Sequence, residues 1–209
     1  MIYGGPYYKV RDGHYFIQTN NPEDTMLKHY EERLAKEKGF ILESWRHLVT
    51  CGPSAVCNSI AALVQLPKIA LPGGGFLQPE SALASWLNDL ANTPTFLAAR
   101  PELDPKTWPG HEVPQYYPAA AKAVLGYTKG EFSWGARWEE LTRLLKSGKA
   151  LTVQLSSPPH YIALVAYDDN RDEIIFHDSW PRAANGFDGF CRRMKSGEFQ
   201  LEPLKIIWG

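Results

Sequence analysis

The chain has 209 residues, 44% hydrophobic and 22% charged, enough for one sizeable domain or two very small ones. A formal net charge of −1 argues against electrostatic binding to nucleic acid or to an anionic membrane. Three cysteines, an odd number, fit a reducing compartment or a reactive thiol better than a disulfide scaffold.

The N-terminal stretch "MIYGGPYYKVRDGHYF" lacks a basic-then-apolar signal pattern, and no apolar run is long enough to span a bilayer. The expected location is therefore the cytoplasm, with export by a non-signal route such as phage lysis left open. "YYKVRDGHYFIQ" predicts a hairpin turning at Asp12-Gly13. "NNPEDTMLKHYEERLAKEKG" predicts a helix with Asn21 as cap, Pro22 at the first position and Glu23 and Asp24 in the first turn. Its many charges read as a solvated face.

"CGPSAVCNSIAALV" places Cys51 at the start of a helix whose Ala55, Val56, Ile60, Ala61, Leu63 and Val64 make it apolar nearly all round. It is predicted to be central, buried and ended by Pro67. "LPGGGF" is a flexible loop without the Lys-Ser/Thr of a phosphate-binding loop. A second amphipathic helix is expected in "QPESALASWLNDLANT", with Pro79 near its start. Residues 100–114 read as a long surface loop, followed by a short helix around Ala119–Val124. "ARWEELTRLLKSGK" predicts a helix stopping at Gly148. "ALTVQLS", "HYIALVAY", "EIIFH" and "LKIIW" then predict strands of one mostly antiparallel sheet. Helices early and strands late indicate an α+β fold rather than alternating βαβ units.

The free amides at a helix N-terminus favour an anion, and the thiolate is the nucleophilic form of cysteine. Cys51 is thus a candidate nucleophile, although an ordinary buried cysteine fits the position alone equally well. Cys57, inside the apolar run, reads as structural. A nucleophilic thiol needs a base held by a third group. Of His14, His29, His47, His111, His160 and His177, His160 stands out because it opens a strand directly after Pro158-Pro159. The next strand ends "FHDSWP", and antiparallel pairing returns Asp178 to the neighbourhood of His160. Side chains alternate faces along a strand, so an odd number of loop residues puts His160, Ile162, Phe176 and Asp178 on one face. His177 then points the other way; an even loop would put His177 on the His160 face instead. "DDNRD" resembles the start of a calcium loop, but Ser179 stands where its last ligand would be, so it reads as a turn. No Cys/His spacing indicates zinc, and no cofactor is expected.

Four pieces in order, "CGPSAVCNSIAALV", "LLKSGKALTVQL", "HYIALVAYDD" and "IIFHDSWP", resemble the papain-like cysteine peptidases. The bacterial branch related to the bacteriocin-processing peptidases is the nearest part. The resemblance covers roughly residues 51–64 and 141–181. It implies a single papain-like domain over 1–209, with a helical lobe at about 20–147 and a sheet lobe at about 148–209, to which the N-terminal hairpin can be added. In that arrangement the buried helix carrying the cysteine packs on a C-terminal antiparallel sheet. It also implies a hydrolase acting on a peptide or peptidoglycan amide bond through a thioester, with Cys51 as nucleophile, His160 as general base and Asp178 orienting His160. Trp180 would shield the His160–Asp178 bond. The family usually carries Gln about six residues before the cysteine as an oxyanion donor; here Trp45 stands there. The backbone amide of Cys51 and the side chain of His47 are the candidate donors in its place. The alternatives are a catalytically silent module that binds peptides, and an acyltransferase or transglutaminase-type enzyme using the same triad.

Overall fold

A computed structural model describes residues 1–16, 51–70, 76–88, 114–157, 159–179 and 188–209. In chain order its elements are β1 (Ile2–Gly4), α1 (Cys51–Ala61), β2 (Ile69–Ala70), β3 (Phe76–Leu77), α2 (Pro79–Asn88) and α3 (Tyr117–Ala120). Then follow β4 (Gly130–Trp134), α4 (Trp138–Lys146), β5 (Ala150–Ser156), β6 (Pro159–Asp168), β7 (Glu173–His177), β8 (Arg192–Met194) and β9 (Leu201–Trp208). The class is α+β, built on a large antiparallel sheet of order β4-β9-β5-β6-β7-β8. β1 joins this sheet beside the second half of β6, where Gly4 pairs with Ala166. A Cβ at Gly4 would fall 2.5 Å from the Ala166 Cβ, so only glycine permits that approach.

β6 is buried along nearly its whole length because both faces of the sheet are covered. On one face Tyr161 packs with Val56, Ile60, Trp208 and Tyr117, the face that holds α1, α2 and α3. On the other, Ile162 and Leu164 pack with Leu141, Leu144 and Leu145 of α4. Fully burying each such side chain stabilises the fold by about 1.5–3 kcal/mol. A polar seam fixes α1 to the sheet. Ser59 Oγ lies 3.0 Å from the Leu151 carbonyl and 2.8 Å from Thr152 Oγ1, which accepts a bond from Trp208 Nε1 at 3.0 Å. Lys205, fully buried in β9, is held by Glu140 at 3.0 Å and by the carbonyls of Trp134 and Gly135 at 3.1 and 2.6 Å.

Several expectations are corrected. Residues 7–16 form no hairpin. They run through successive turns, with Tyr7 N–H donating to the Ala62 carbonyl at 3.0 Å and Tyr15 N–H to Arg11 at 3.0 Å. Gly13 does adopt the left-handed conformation a turn requires (φ 71°), but the flanking residues pack against α1 instead of each other. α1 stops at Ala61, six residues before Pro67, and there His14 Nδ1–H donates to the Ala61 carbonyl at 2.6 Å. β4 and β8 are strands that the sequence pattern did not single out, and β4 lies within the stretch expected to be helical. The predicted helix over 20–39 and, apart from Pro114, the loop over 100–114 lie outside the described residues.

The β6–β7 connection is also corrected. Asp168 pairs with Glu173, so the loop holds four residues, an even number. A bulge between Leu164 and Ala166 inserts one unpaired residue, Val165, and reverses the parity on its far side. Ala163 therefore faces His177, and Asp178 falls on the side of Ile162 and His160.

Candidate active site

Cys51 is the first residue of α1, half-buried and unpaired. Pro53 in the first turn costs no helix hydrogen bond there, because the first N–H groups have no partner inside the helix. Gly52 is required for packing. A Cβ at that position would stand 1.9 Å from the Tyr117 hydroxyl, which lies against the first turn one residue from Cys51.

His160 and Asp178 are brought together across the sheet, with Nε2 2.7 Å from Asp178 Oδ1, and both are buried. The imidazole also lies near enough to Cys51 for the thiol to influence its protonation. With Nε2 committed to the carboxylate, Nδ1 is the nitrogen left for the thiol. Burial by itself lowers the pKa of this imidazole. The bond to Asp178 and the nearby Cys51 thiol, together with their charge, outweigh burial and raise it from 6.5 to about 9. The geometry thus favours a charged imidazolium between two groups able to carry negative charge.

Asp178 is tied down at every polar atom. Its second oxygen, Oδ2, accepts from Arg192 Nη1 at 3.1 Å. Its N–H donates to the Gly189 carbonyl at 2.9 Å, and its carbonyl accepts from the Tyr15 hydroxyl at 2.7 Å. A Cβ at Gly189 would lie 1.9 Å from the Asp178 carbonyl oxygen, so this close approach needs glycine. Burial, then the nearby Asp188 and Asp178, push the Tyr15 phenol well above its usual value and keep it a neutral donor. Sequence reasoning missed Tyr15, Gly189 and Arg192. Tyr15 and Arg192 lie 163 and 14 residues from Asp178, and only the arginine carries a signal, as a cation on a strand following an acidic one.

His177 occupies the opposite face. It stacks on Phe190 with centroids 4.7 Å apart, meets Tyr15 edge-on at 5.6 Å, and its Nδ1 accepts from Cys191 N–H at 3.1 Å. Burial there lowers its pKa to about 4. Cys57 is fully buried, and burial pushes its thiol well up, with the Glu80 charge adding to the effect. His47, Trp45, Trp180, His29 and His111 lie outside the described residues. Among the described residues no group of three or more His, Cys, Asp or Glu is arranged to hold a metal ion, and no helix is long and apolar enough to cross a membrane.

A family model, that of the Peptidase_C39-like family, matches residues 37–194, a span that includes Cys51, His160 and Asp178. The chain belongs to the Peptidase_C39-like family. Among solved structures, one from Bacillus anthracis assigned as a C39-like peptidase matches at 15% identity, with a TM-score of 0.34. That match covers 44% of this chain and 56% of the other, so this chain spans little more than half the length of that structure. No curated protein sequence matches the chain.

Proposed function

We propose that this member of the Peptidase_C39-like family is a thiol-dependent hydrolase with a papain-like arrangement, cleaving a peptide or peptidoglycan amide bond. The observation that supports this most is the buried His160 imidazole, 2.7 Å from the Asp178 carboxylate and near enough to the Cys51 thiol at a helix N-terminus to be influenced by it.

In this reading His160 Nδ1 takes the Cys51 proton and the thiolate attacks the substrate carbonyl. A C–S bond forms, and the carbonyl π electrons move onto oxygen. The backbone amide of Cys51 is one donor to that oxyanion, with His47 the candidate for a side-chain donor. Collapse breaks the C–N bond, and the imidazolium gives its proton to the departing amine. Water, deprotonated by His160, then attacks the thioester, releases the acid and restores the thiol. Asp178 keeps the imidazole oriented and stabilises its charged form throughout.

A second reading is favoured by Trp45, which stands where related enzymes usually carry Gln. Losing one oxyanion donor typically costs about 10²–10³ in rate, so a module that binds peptides without cleaving them is the rival. Incubation with purified peptidoglycan and with a peptide library, read as newly released amines, separates the two. The hydrolase reading expects release by the wild type and none by C51A. Absence of release, together with a Cys51 that no peptidyl electrophile labels, would favour the binding module.

A further inference from the structure

Asp178 is not held by His160 alone, and the geometry of its second oxygen has a mechanistic consequence. Oδ1 is engaged by His160 Nε2 at 2.7 Å and Oδ2 by Arg192 Nη1 at 3.1 Å. Arg192 reaches this point from β8, where it pairs directly with Phe176 of β7. Cross-strand partners share a face, and so do residues two apart on one strand, which places Arg192 diagonally across from Asp178. Its guanidinium also lies over the Phe176 ring, 5.0 Å from the centroid, so the ring and the carboxylate fix it between them. The arginine side chain is 29% exposed and the carboxylate 11%, so this is a largely desolvated pair rather than a surface one. Arg193, one residue on, points the other way and bonds Asp168 and Glu173 at 2.9 Å each, so the two arginines serve different carboxylates.

We propose that Arg192 is a positioning residue of the Cys51–His160–Asp178 site, holding Asp178 Oδ2 so that Oδ1 stays on the imidazole. This rests on the hydrolase reading above and deepens it. The Asp178 backbone is fixed by Tyr15 and Gly189, bonds that do not themselves reach the carboxyl oxygens. Arg192 supplies the constraint at the carboxyl end. In this role it acts through Asp178.

The test uses Cys51 alkylation by iodoacetamide against pH, which needs no knowledge of the substrate. In the wild type the alkaline limb reports loss of the imidazolium proton. R192Q, with its fold verified by near-UV circular dichroism, should alkylate up to roughly ten-fold more slowly above its alkaline limb, with little change at neutral pH. Its alkaline limb should lie about one pH unit lower, because an unclamped carboxylate stabilises the imidazolium less. R192K can make the one bond that Nη1 makes and should restore the limb. In a D178N background R192Q should change nothing further. A folded R192Q with an unmoved limb, a limb shifted upward, or an equal effect in the D178N background would each overturn the proposal. Should Gln at 192 unfold the chain, R192K decides alone: a wild-type limb supports the role, and a displaced limb in a folded protein contradicts it. A wild type with no imidazolium limb would contradict the hydrolase reading itself, and this proposal with it, and would be visible before any arginine variant is made.

Discussion

Two histidines within the β6–β7 hairpin and its exit, both buried, end at opposite extremes. His160 has a carboxylate on one nitrogen and a thiol to face the other, and its pKa rises to about 9. His177 is stacked on Phe190, takes a backbone N–H, and falls to about 4. Burial lowers both, so burial is not what distinguishes them. What differs is whether an anionic partner meets the ring. That depends on which face of the hairpin each residue takes, and the bulge at Val165 sets the face.

The largest expected effect comes from removing each ring in turn. His160→Ala should slow Cys51 alkylation at neutral pH, and any turnover, by about 10²–10⁴, the usual contribution of a positioned base. His177→Ala should leave Cys51 reactivity in place and instead lower the unfolding free energy, read by denaturant melts. Equal losses of reactivity in the two variants would erase the distinction. Next, Gly189→Ala should displace the Asp178 carbonyl, because a methyl group would sit 1.9 Å from it. A fall in both stability and Cys51 reactivity is expected, whereas a change at Gly197, with open space around it, should be nearly silent in reactivity.

Within the core, Ile60→Ala on α1 should cost about 2–5 kcal/mol by the lost contacts and the cavity left behind. The smallest effect is in the pH dependence of stability. The His160 pKa is raised on folding, so its contribution is complete below pH 6.5 and is lost as pH rises through about 9. That of His177 is depressed, so its contribution is complete above pH 6.5 and is lost as pH falls through about 4. Thermal melts should thus show the alkaline decline flattened in D178N and the acid decline flattened in His177→Phe. The reverse assignment would mean that the faces are exchanged.

Where local chemistry carries the signal, the sequence was readable. The apolar run after Cys51 became α1, Pro79 opened α2, and "ALTVQLS" and "EIIFH" became β5 and β7 with their expected bounds. The pairing of His160 with Asp178 also followed from antiparallel return and alternation. The loop count behind that pairing was wrong, because nothing in "IALVAYDD" marks Val165 as the residue to be extruded, and the bulge compensated for the even loop. Asp12-Gly13 marked a left-handed turn correctly, yet the strands beside it lost to packing against α1, a tertiary preference that local propensity does not carry. β4, "GEFSW", mixes glycine, acid and aromatics without alternation and owes its place to pairing with β9. Tyr15 and Arg192 were invisible as partners of Asp178 because their roles exist only after distant segments meet.

The contrast between the two rings can be measured in a single experiment. An NMR titration of the histidine side chains, assigned with His160→Ala and His177→Phe, reads both environments in one protein. The account predicts that His160 stays protonated through neutral pH and titrates near 9, that His177 titrates near 4, and that the His160 value falls when Cys51 is replaced by alanine. A His160 titrating at or below 6.5, or one indifferent to the loss of Cys51, would contradict the claim that thiol, imidazole and carboxylate act as one unit.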